Sequence, residues 1–166
     1  MSGDVVYDSR SIASYLISKA KPAGGLDALQ VMKLVYISHG FMLGLNDRPL
    51  IEDDIEAWKF GPAIRRVYAC LPGGSSSITE PFRSVPTLSQ KAQEIVDSVH
   101  GQYGHISGWY LSTLTHRHGS PWEKTWSAYG QNAVIPQALI REHYKNIIEK
   151  YRAAEAAGEK YVIEAL

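Results

Sequence analysis

The chain has 166 residues, and its 17 lysines and arginines are balanced by 17 aspartates and glutamates, so its formal net charge is zero. This balance argues against a protein that binds nucleic acid mainly through phosphates, because such binding needs a surplus of basic side chains. Hydrophobic residues make up 45% of the chain, which excludes a disordered protein, and the single cysteine excludes an internal disulfide framework and suits a reducing cytosol.

The amino-terminal segment does not resemble a targeting signal. The first ten residues lack a basic head followed by an apolar core, and no apolar run reaches the roughly 18 residues that a membrane-spanning helix requires. We therefore expect a soluble, cytoplasmic protein that binds neither membranes nor nucleic acid. The length predicts one mainly α domain, a compact helical unit over residues 1–157 with a short β-hairpin inserted after the second helix, followed by a C-terminal tail over residues 158–166.

Helical periodicity predicts two helices in the first third of the chain. Asp8 or Ser9 caps the first helix, which ends by Pro22 because proline disfavours helix in the residue before it. The second helix runs from residue 27 to about residue 45 and is apolar around most of its circumference. Such a helix is expected at the centre of a fold.

A short extended pair is predicted after the turn at residues 46–49. The next stretch mixes β-branched, aromatic and acidic side chains without a helical period, which indicates a hairpin containing residues 55–59. Gly61 and Pro62 are expected to end the hairpin, with Pro62 in the first turn of a short helix. Proline, glycine and serine then predict an exposed loop over residues 71–86.

Two further helices are predicted after this loop. Ser89 caps the first of them, which is expected to reach His100 and to be broken by Gly101 and Gly104. The next helix covers residues 107–116.

Two more helices complete the domain. Ser120, Pro121 and Glu123 give the sharpest local signal, because serine at the cap, proline in the first turn and glutamate three residues after the cap make a capping box. The last helix begins at Pro136, and its apolar spacing predicts that Tyr151 packs inward.

Few residues point to catalysis or metal binding. His116 and His118 are the nearest approach to a metal site, but two histidines without a further ligand motif more often cap a helix end or lie in solvent. Cys70 carries no signature of a catalytic thiol and is interpreted as a small hydrophobic residue. We expect a protein that is not an enzyme and has neither metal nor cofactor; a metal-dependent enzyme using the two histidines is the alternative.

The main local departure from charge balance is acidic. Four carboxylates fall between residues 52 and 56, either as a solvated strand edge protected from aggregation or as an acidic strip that docks a basic partner. Trp58, which follows these acids, is the aromatic residue most expected to line a groove.

Two blocks of residues form a recognisable motif. The first block consists of Leu29, Gln30, Lys33, Leu34, Tyr36, Pro49, Leu50, Ile55, Glu56, Ala57, Trp58, Lys59, Phe60, Gly61, Pro62, Val67 and Tyr68. The second block consists of Leu111, Ser112, Leu114, Thr115, His116, Ser120, Pro121 and Trp122. Together the two blocks resemble the Panacea-domain family of SocA-like antitoxins. The chain departs from the family pattern at Phe41, where tryptophan is frequent, and at the basic pair Arg65 and Arg66.

The resemblance implies an antitoxin, a helical domain that is encoded beside a toxin and neutralises that toxin by direct binding. It further implies a proteolytic adaptor that delivers the bound toxin to the ClpXP protease, which raises the effective concentration of the substrate at the protease. Such an adaptor needs one surface for the toxin and another for the ClpX unfoldase.

The toxin surface is expected at the family motif positions, although the same residues equally suit a purely structural role. These positions are Glu56, Trp58, Lys59, Phe60, Gly61, Pro62, Thr115, His116, Ser120, Pro121 and Trp122. For the protease, expected exposure and apolar ends favour Tyr161, Val162 and Leu166 in the tail.

A DNA-binding autoregulator is the remaining alternative, because antitoxins often repress their own operons. Arg65, Arg66 and Lys91 are too few basic residues to support it.

Overall fold

The computed structural model describes residues 5–74 and 76–166. Residues 1–4 and Ser75 lie outside the described residues, and with them the start of the segment examined for a targeting signal and one serine of the predicted loop. Within the described ranges the chain forms seven α-helices and one two-stranded antiparallel sheet, which confirms a mainly α fold with a hairpin after the second helix. The elements are α1 (Ser9–Ala20), α2 (Ala28–Asn46), β1 (Glu56–Trp58), β2 (Gly61–Ala63), α3 (Arg65–Tyr68), α4 (Gln90–Tyr103), α5 (Gly108–Thr115), α6 (Pro121–Tyr129) and α7 (Gln137–Ala156).

Helix α2 is the centre of the fold. Residues 31–40 are all buried, and the helix packs against α1, α4, α5, α7 and β2. A capping box starts it, because the Asp27 carboxylate accepts a hydrogen bond from the backbone of Gln30 and the Gln30 side chain accepts one in return. By length and composition α2 could cross a membrane, but 67% of its most apolar window is buried inside the fold. The predicted central position is confirmed.

Helices α2 and α7 pack closely because α2 carries glycine at two contact positions. A Cβ atom at Gly40 would overlap the ring of Tyr144, and one at Gly44 would lie 2.9 Å from Ile148 Cδ1. Tyr144 is fully buried and meets the ring of Tyr36 edge-on, with 6.1 Å between ring centroids. The two glycines therefore set the distance between the two longest helices.

A buried histidine on α2 holds the chain that leads into the hairpin. His39 Nδ1 accepts hydrogen bonds from the backbone N–H groups of Leu50 (3.2 Å) and Ile51 (3.4 Å). Burial lowers the pKa of His39 to about 4, so the ring is neutral at pH 7 and Nδ1 stays an acceptor. The backbone of Tyr7 pairs with the same segment. Its N–H donates to the carbonyl of Leu50, and its carbonyl accepts from the N–H of Glu52.

The hairpin exists as predicted, but its boundary is different. Trp58 pairs with Gly61, so Gly61 and Pro62 form the second strand instead of ending the hairpin, and α3 begins at Arg65. Gly61 has φ +110°, a region that glycine enters without strain, and this allows the tight reversal of direction. The sequence interpretation failed because Gly-Pro terminates elements in most contexts.

A segment between α6 and α7 pairs with the outer edge of β1. The backbone of Ala57 exchanges hydrogen bonds of 2.8 Å with Asn132 and Ala133, and the N–H of Ile135 donates to the carbonyl of Ile55 at 2.7 Å. This pairing covers an edge that would otherwise be open. It joins residues far apart in the chain, and no local pattern predicted it.

The connection from α3 to α4 is irregular, as expected, but it is not wholly exposed. Ile78 is buried and pairs with Leu26 through two backbone hydrogen bonds of 2.7 and 3.1 Å. The backbone N–H groups of Phe82 and Arg83 donate to the hydroxyl of Ser14 on α1. These contacts fix the long connection along α1.

Two expectations about helices are corrected. Helix α4 does not break at Gly101 but continues to Tyr103, with Gly104 as its C-cap donating to the carbonyl of His100. Tyr151 is 52% exposed, because it lies on the side of α7 that no element in the described ranges fully covers.

The C-terminal residues pack onto the helices. Leu166 is fully buried, and its backbone N–H donates to the carbonyl of Leu114 at 2.8 Å. The guanidinium of Arg117 donates to the carbonyl of Glu164 at 2.8 Å. The expectation that Leu166 is exposed is therefore wrong, whereas Val162 is 67% exposed.

We predict that Gly40→Ala destabilises the protein by about 1–3 kcal/mol, because the added methyl group overpacks the contact with Tyr144. The measurement is the free energy of unfolding from urea denaturation. Gly101→Ala is the matched control, since it adds the same group to a helix at a position with nothing within 4 Å. The control should raise stability by about 0.5–1 kcal/mol; equal effects at both positions would contradict the close packing of α2 and α7.

Candidate functional site at the hairpin

Side chains from three helices hold the hairpin by its carbonyl groups. The pairs are Trp122 Nε1 to the carbonyl of Trp58 (2.6 Å), Ser112 Oγ to that of Phe60 (2.5 Å) and Lys33 Nζ to that of Pro62 (2.8 Å). Every second carbonyl from residue 58 to residue 62 is thus bound by α6, α5 or α2. These bonds fix both the orientation and the register of the turn relative to the helices.

Glycine is required at the point where the hairpin meets α2 and α5. A Cβ atom at Gly61 would lie 3.0 Å from Lys33 Nζ and 3.2 Å from Thr115 Oγ1. Gly61, Pro62 and Thr115 are all buried. These three motif positions therefore hold the hairpin against the helices.

The second motif block positions the indole that reaches the hairpin. Ser120 caps α6 and Pro121 occupies its first position, which confirms the predicted helix start. Trp122 follows and is buried, with its ring against that of His116 at 5.3 Å between centroids. The Nδ1 atom of His116 is itself hydrogen-bonded to the carbonyl of Ser112. The block begins α6 where Trp122 can bond to the hairpin.

The structure brings the two motif blocks together around the hairpin. Their residues differ in how far each side chain is exposed to solvent. Buried positions are Gly61, Pro62, Thr115, Ser120, Pro121 and Trp122; half-buried positions are Glu56, Trp58 and His116; exposed positions are Lys59 and Phe60. Most of the motif is therefore structural, and the tip of the hairpin is the part that a partner can reach.

Exposed aromatic side chains surround that tip. Phe60 is 48% exposed and Trp109, on α5, is 64% exposed, with 5.8 Å between their ring centroids. Lys59 Nζ lies 5.4 Å from the centroid of Phe60. We call Trp58, Lys59, Phe60 and Trp109 the hairpin surface. Neighbouring exposed aromatic rings are typical of interaction sites; the sequence did not single out Trp109, because helical spacing does not reveal which face of a short helix is uncovered.

The acidic residues before the hairpin are paired with arginines. Arg66 lies within 3.1 Å of carboxylate oxygens of Asp8, Glu52 and Asp53, and Arg65 binds Glu56 through both oxygens at 2.7 and 3.0 Å. The acidic strip is thus largely occupied by the chain's own basic residues. An acidic dock for a basic partner therefore receives no support from the structure.

Glu56 and Arg65 also support the aromatic part of the hairpin. The Arg65 hydrogen bonds hold the pKa of Glu56 below its usual range, so the carboxylate is charged at neutral pH. Glu56 also accepts from Trp58 Nε1 at 3.2 Å, and the Arg65 guanidinium lies 5.3 Å from the centroid of the Trp58 indole. Tyr68 meets that indole edge-on at 5.0 Å. Trp58 is consequently held in one orientation.

A cleft of about 430 Å³ opens between the hairpin, the first half of α2 and α3. Its lining consists of Ala28, Leu29, Met32, Lys33, Trp58, Lys59, Phe60, Gly61, Ala63, Arg65, Tyr68, Leu71, Gln131 and Asn132. We call it the hairpin cleft. Three of these residues are basic and, in the part of the chain that the structure describes, no aspartate or glutamate lines the cleft. The cleft is therefore positive in a chain with no net charge.

Lys33 is the most unusual residue of the cleft. Its side chain is 2% exposed and donates to the carbonyl of Pro62, and no carboxylate of the described ranges pairs with it. Burial lowers the pKa of Lys33 to about 7, because removing an ammonium group from water disfavours its charged form. Sequence analysis placed Lys33 in a motif block and assigned no role to it. The signal that could have identified it is a lysine within a helix that is apolar around most of its circumference.

In the part of the chain that the structure describes, the histidines and the cysteine are not gathered around one metal-binding point. Within residues 5–74 and 76–166, no group of three histidine, cysteine, aspartate or glutamate residues is placed to hold a metal ion. His118 is almost fully exposed, and its Nδ1 atom lies 3.5 Å from Glu123 Oε1. His116 is instead hydrogen-bonded to the carbonyl of Ser112. Cys70 is half-buried and has no disulfide partner.

The residues expected to contact the protease differ in exposure. Val162 is exposed, Tyr161 is half-buried and packs against the core, and Leu166 is buried. Val162 is the member of this set that is open to a partner.

The chain matches a family model described as "Antitoxin SocA-like, Panacea domain" over residues 31–123, which include Lys33, the hairpin and Trp122. It is also 30% identical over 138 residues to "Antitoxin SocA" of Caulobacter vibrioides (strain NA1000 / CB15N), covering 75% of this chain and 73% of that protein. No solved structure matches the chain. The chain therefore belongs to the SocA-like, Panacea-domain antitoxin family.

We predict that Lys33→Met removes a pH-dependent part of the stability between about pH 7 and pH 10.5. In this range the unfolded state binds a proton on Lys33 that the folded state has lost, so wild-type stability rises with pH relative to the variant. The expected rise is about 3–5 kcal/mol. Urea denaturation of both proteins at several pH values measures it, and a constant difference between them would show that Lys33 titrates normally.

Proposed function

We propose that this chain is the antitoxin of a toxin–antitoxin pair, that it acts in the cytoplasm, and that it neutralises its cognate toxin by binding it at the hairpin surface. Membership of the antitoxin family supports the general role. The observation that carries the binding site is the pair of exposed aromatic rings, Phe60 and Trp109, on a hairpin that three helices hold by its carbonyls.

The rigidity of the hairpin is what makes this surface suited to binding. Side chains that must be ordered on association reduce the affinity by the entropy that they lose. The bonds from Trp122, Ser112 and Lys33 order the turn before the partner arrives. Aromatic anchors on a preorganised turn are typical of the residues that dominate binding free energy.

The charge of the hairpin surface adds selectivity. Lys59 is exposed beside Phe60, and the neighbouring Arg65 is open to solvent on one side while it binds Glu56. Basic groups at the rim of an aromatic patch favour a partner with acidic groups around an apolar centre and raise the rate of association.

We further propose that the chain delivers the bound toxin to the ClpXP protease, as the resemblance to the family implies. Delivery needs a second surface that stays free when the toxin is bound. Lys33 lies in the hairpin cleft, whereas Ile163, beside the exposed Val162, lines a separate groove with Leu45. Twelve helical residues separate Lys33 from Leu45, or about 18 Å. Two partners can therefore bind at different ends of α2.

No observation on the described residues favours either of the two alternative functions. A DNA-binding autoregulator would use Arg65, Arg66 and Lys91, but the two arginines are bound to carboxylates of the same chain. A metal-dependent enzyme would need three ligands grouped around one point, and no such group exists among the residues described, although Glu123 lies 3.5 Å from His118.

We predict that Phe60→Ser combined with Lys59→Glu weakens toxin binding at least tenfold without lowering the melting temperature, because both side chains are exposed. The toxin is the product of the neighbouring reading frame that arrests growth when this chain is absent. Binding is measured by calorimetry and neutralisation by growth rescue. Tyr151→Ser, at an aromatic residue of similar exposure on α7, is the matched control.

Two results would contradict this proposal. If no neighbouring product arrests growth or binds the chain, it is not the antitoxin of an adjacent toxin. If the control weakens binding and the hairpin variant does not, the toxin binds near α7 instead.

We predict that Val162→Asp slows toxin degradation by reconstituted ClpXP several-fold while leaving toxin affinity unchanged. A point substitution is preferable to removal of the tail, because Leu166 is part of the core and its loss would destabilise the domain. Val6→Asp, at another exposed valine, is the control. If the toxin is stable in the presence of ClpXP and the wild-type chain, neutralisation is by binding alone.

A further inference from the structure

We propose that the hairpin cleft receives an acidic side chain of the toxin, and that Lys33 pairs with its carboxylate at the inner wall of the cleft. This inference rests on the proposed function, because the occupant is part of the toxin bound at the adjoining hairpin surface.

The charge of the cleft identifies the class of the occupant. Lys33, Lys59 and Arg65 line it, and the part of the chain described contributes no acidic lining residue. Arg65 is already neutralised by Glu56 through two hydrogen bonds. Among the described residues, no carboxylate pairs with either lysine, and a group that enters the cleft meets an excess of positive charge.

Lys33 is the group whose free energy changes most when a carboxylate arrives. A buried ammonium without a counter-ion destabilises the free protein, and a carboxylate that reaches it forms a charge-assisted hydrogen bond in a site with little water. Burial has already lowered the pKa of Lys33 to about 7, so a carboxylate would restore the charged form. Apart from its hydrogen bond to the carbonyl of Pro62, the ammonium has no described polar partner.

Glycine at position 61 lets the hairpin backbone lie close to the Lys33 ammonium. A Cβ atom there would lie 3.0 Å from Lys33 Nζ and would occupy the space beside it. Gly61 has φ +110°, and both Gly61 and Lys33 line the cleft.

The walls of the cleft favour an apolar residue next to the acidic one. Leu29 and Met32 form the α2 side, and the rings of Trp58, Phe60 and Tyr68 form the other side. A protein segment can place an acidic side chain at the inner wall and an apolar side chain between these rings. A small free acid would leave the aromatic walls in water, and we therefore assign the cleft to the toxin.

The test uses the full-length chain and the purified toxin. Lys33→Met removes the charge, and Lys33→Gln removes the charge but keeps a donor for the carbonyl of Pro62. Both variants should bind the toxin at least tenfold more weakly by calorimetry. Lys150→Met, at an exposed lysine on α7, should leave the affinity unchanged. The hydrogen-bonded indole resonance of Trp122 reports that the hairpin is intact in each variant.

Substitution on the toxin identifies the occupant. Each aspartate or glutamate of the toxin is changed to its amide, and each change is measured against wild type and Lys33→Gln. At one acidic position of the toxin, the change to the amide should weaken binding to the wild-type chain at least tenfold. The same change should leave binding to the Lys33→Gln chain almost unaltered.

The outcomes separate the two proposals. If both Lys33 variants bind the toxin as tightly as wild type does, the cleft assignment is wrong and the antitoxin proposal stands. Occupancy of the cleft by glutarate at millimolar concentration, without competition against the toxin, would overturn the assignment in favour of a free acid. If the wild-type chain does not bind the toxin at all, both proposals fail.

Discussion

Burial of α2 on every side is the constraint on which the structure depends. A polar side chain on the buried part of α2 can find a hydrogen-bond partner only within the fold, because water does not reach it. His39 does so by accepting from the backbone of Leu50 and Ile51, and Lys33 does so by donating to Pro62. Both partners belong to the chain around the hairpin. The polar groups of the core helix therefore determine where the hairpin enters and how it is held.

Patterns in the sequence predicted the elements whose formation depends mainly on residues close together in the chain. Ser89 and Ser120 were identified as caps because a cap needs only a side-chain oxygen and the next three residues. The pairing of Ala57 with residues 132–133 and the burial of Leu166 against α5 were not predicted. Those contacts join distant parts of the chain, and their residues carry no periodicity that marks them.

The candidate site was predictable as a set of residues and not as a surface. The motif positions do assemble around the hairpin, yet Gly61, Pro62 and Trp122 are buried, whereas Phe60 is exposed. A motif marks residues that a family needs, whether for shape or for contact, and only packing separates the two. Trp109 shows the converse, because it completes the exposed surface although no motif contains it.

The same division explains how a chain with no net charge can still contain a cleft lined by basic residues. Basic and acidic residues cancel over the whole sequence, and those before the hairpin form ion pairs, where Arg66 binds Asp8, Glu52 and Asp53. The cleft differs, because it contains the buried Lys33 and no aspartate or glutamate of the described residues lines it. A charge that the fold leaves unpaired destabilises the free protein, and a partner that supplies the missing charge recovers that free energy on binding.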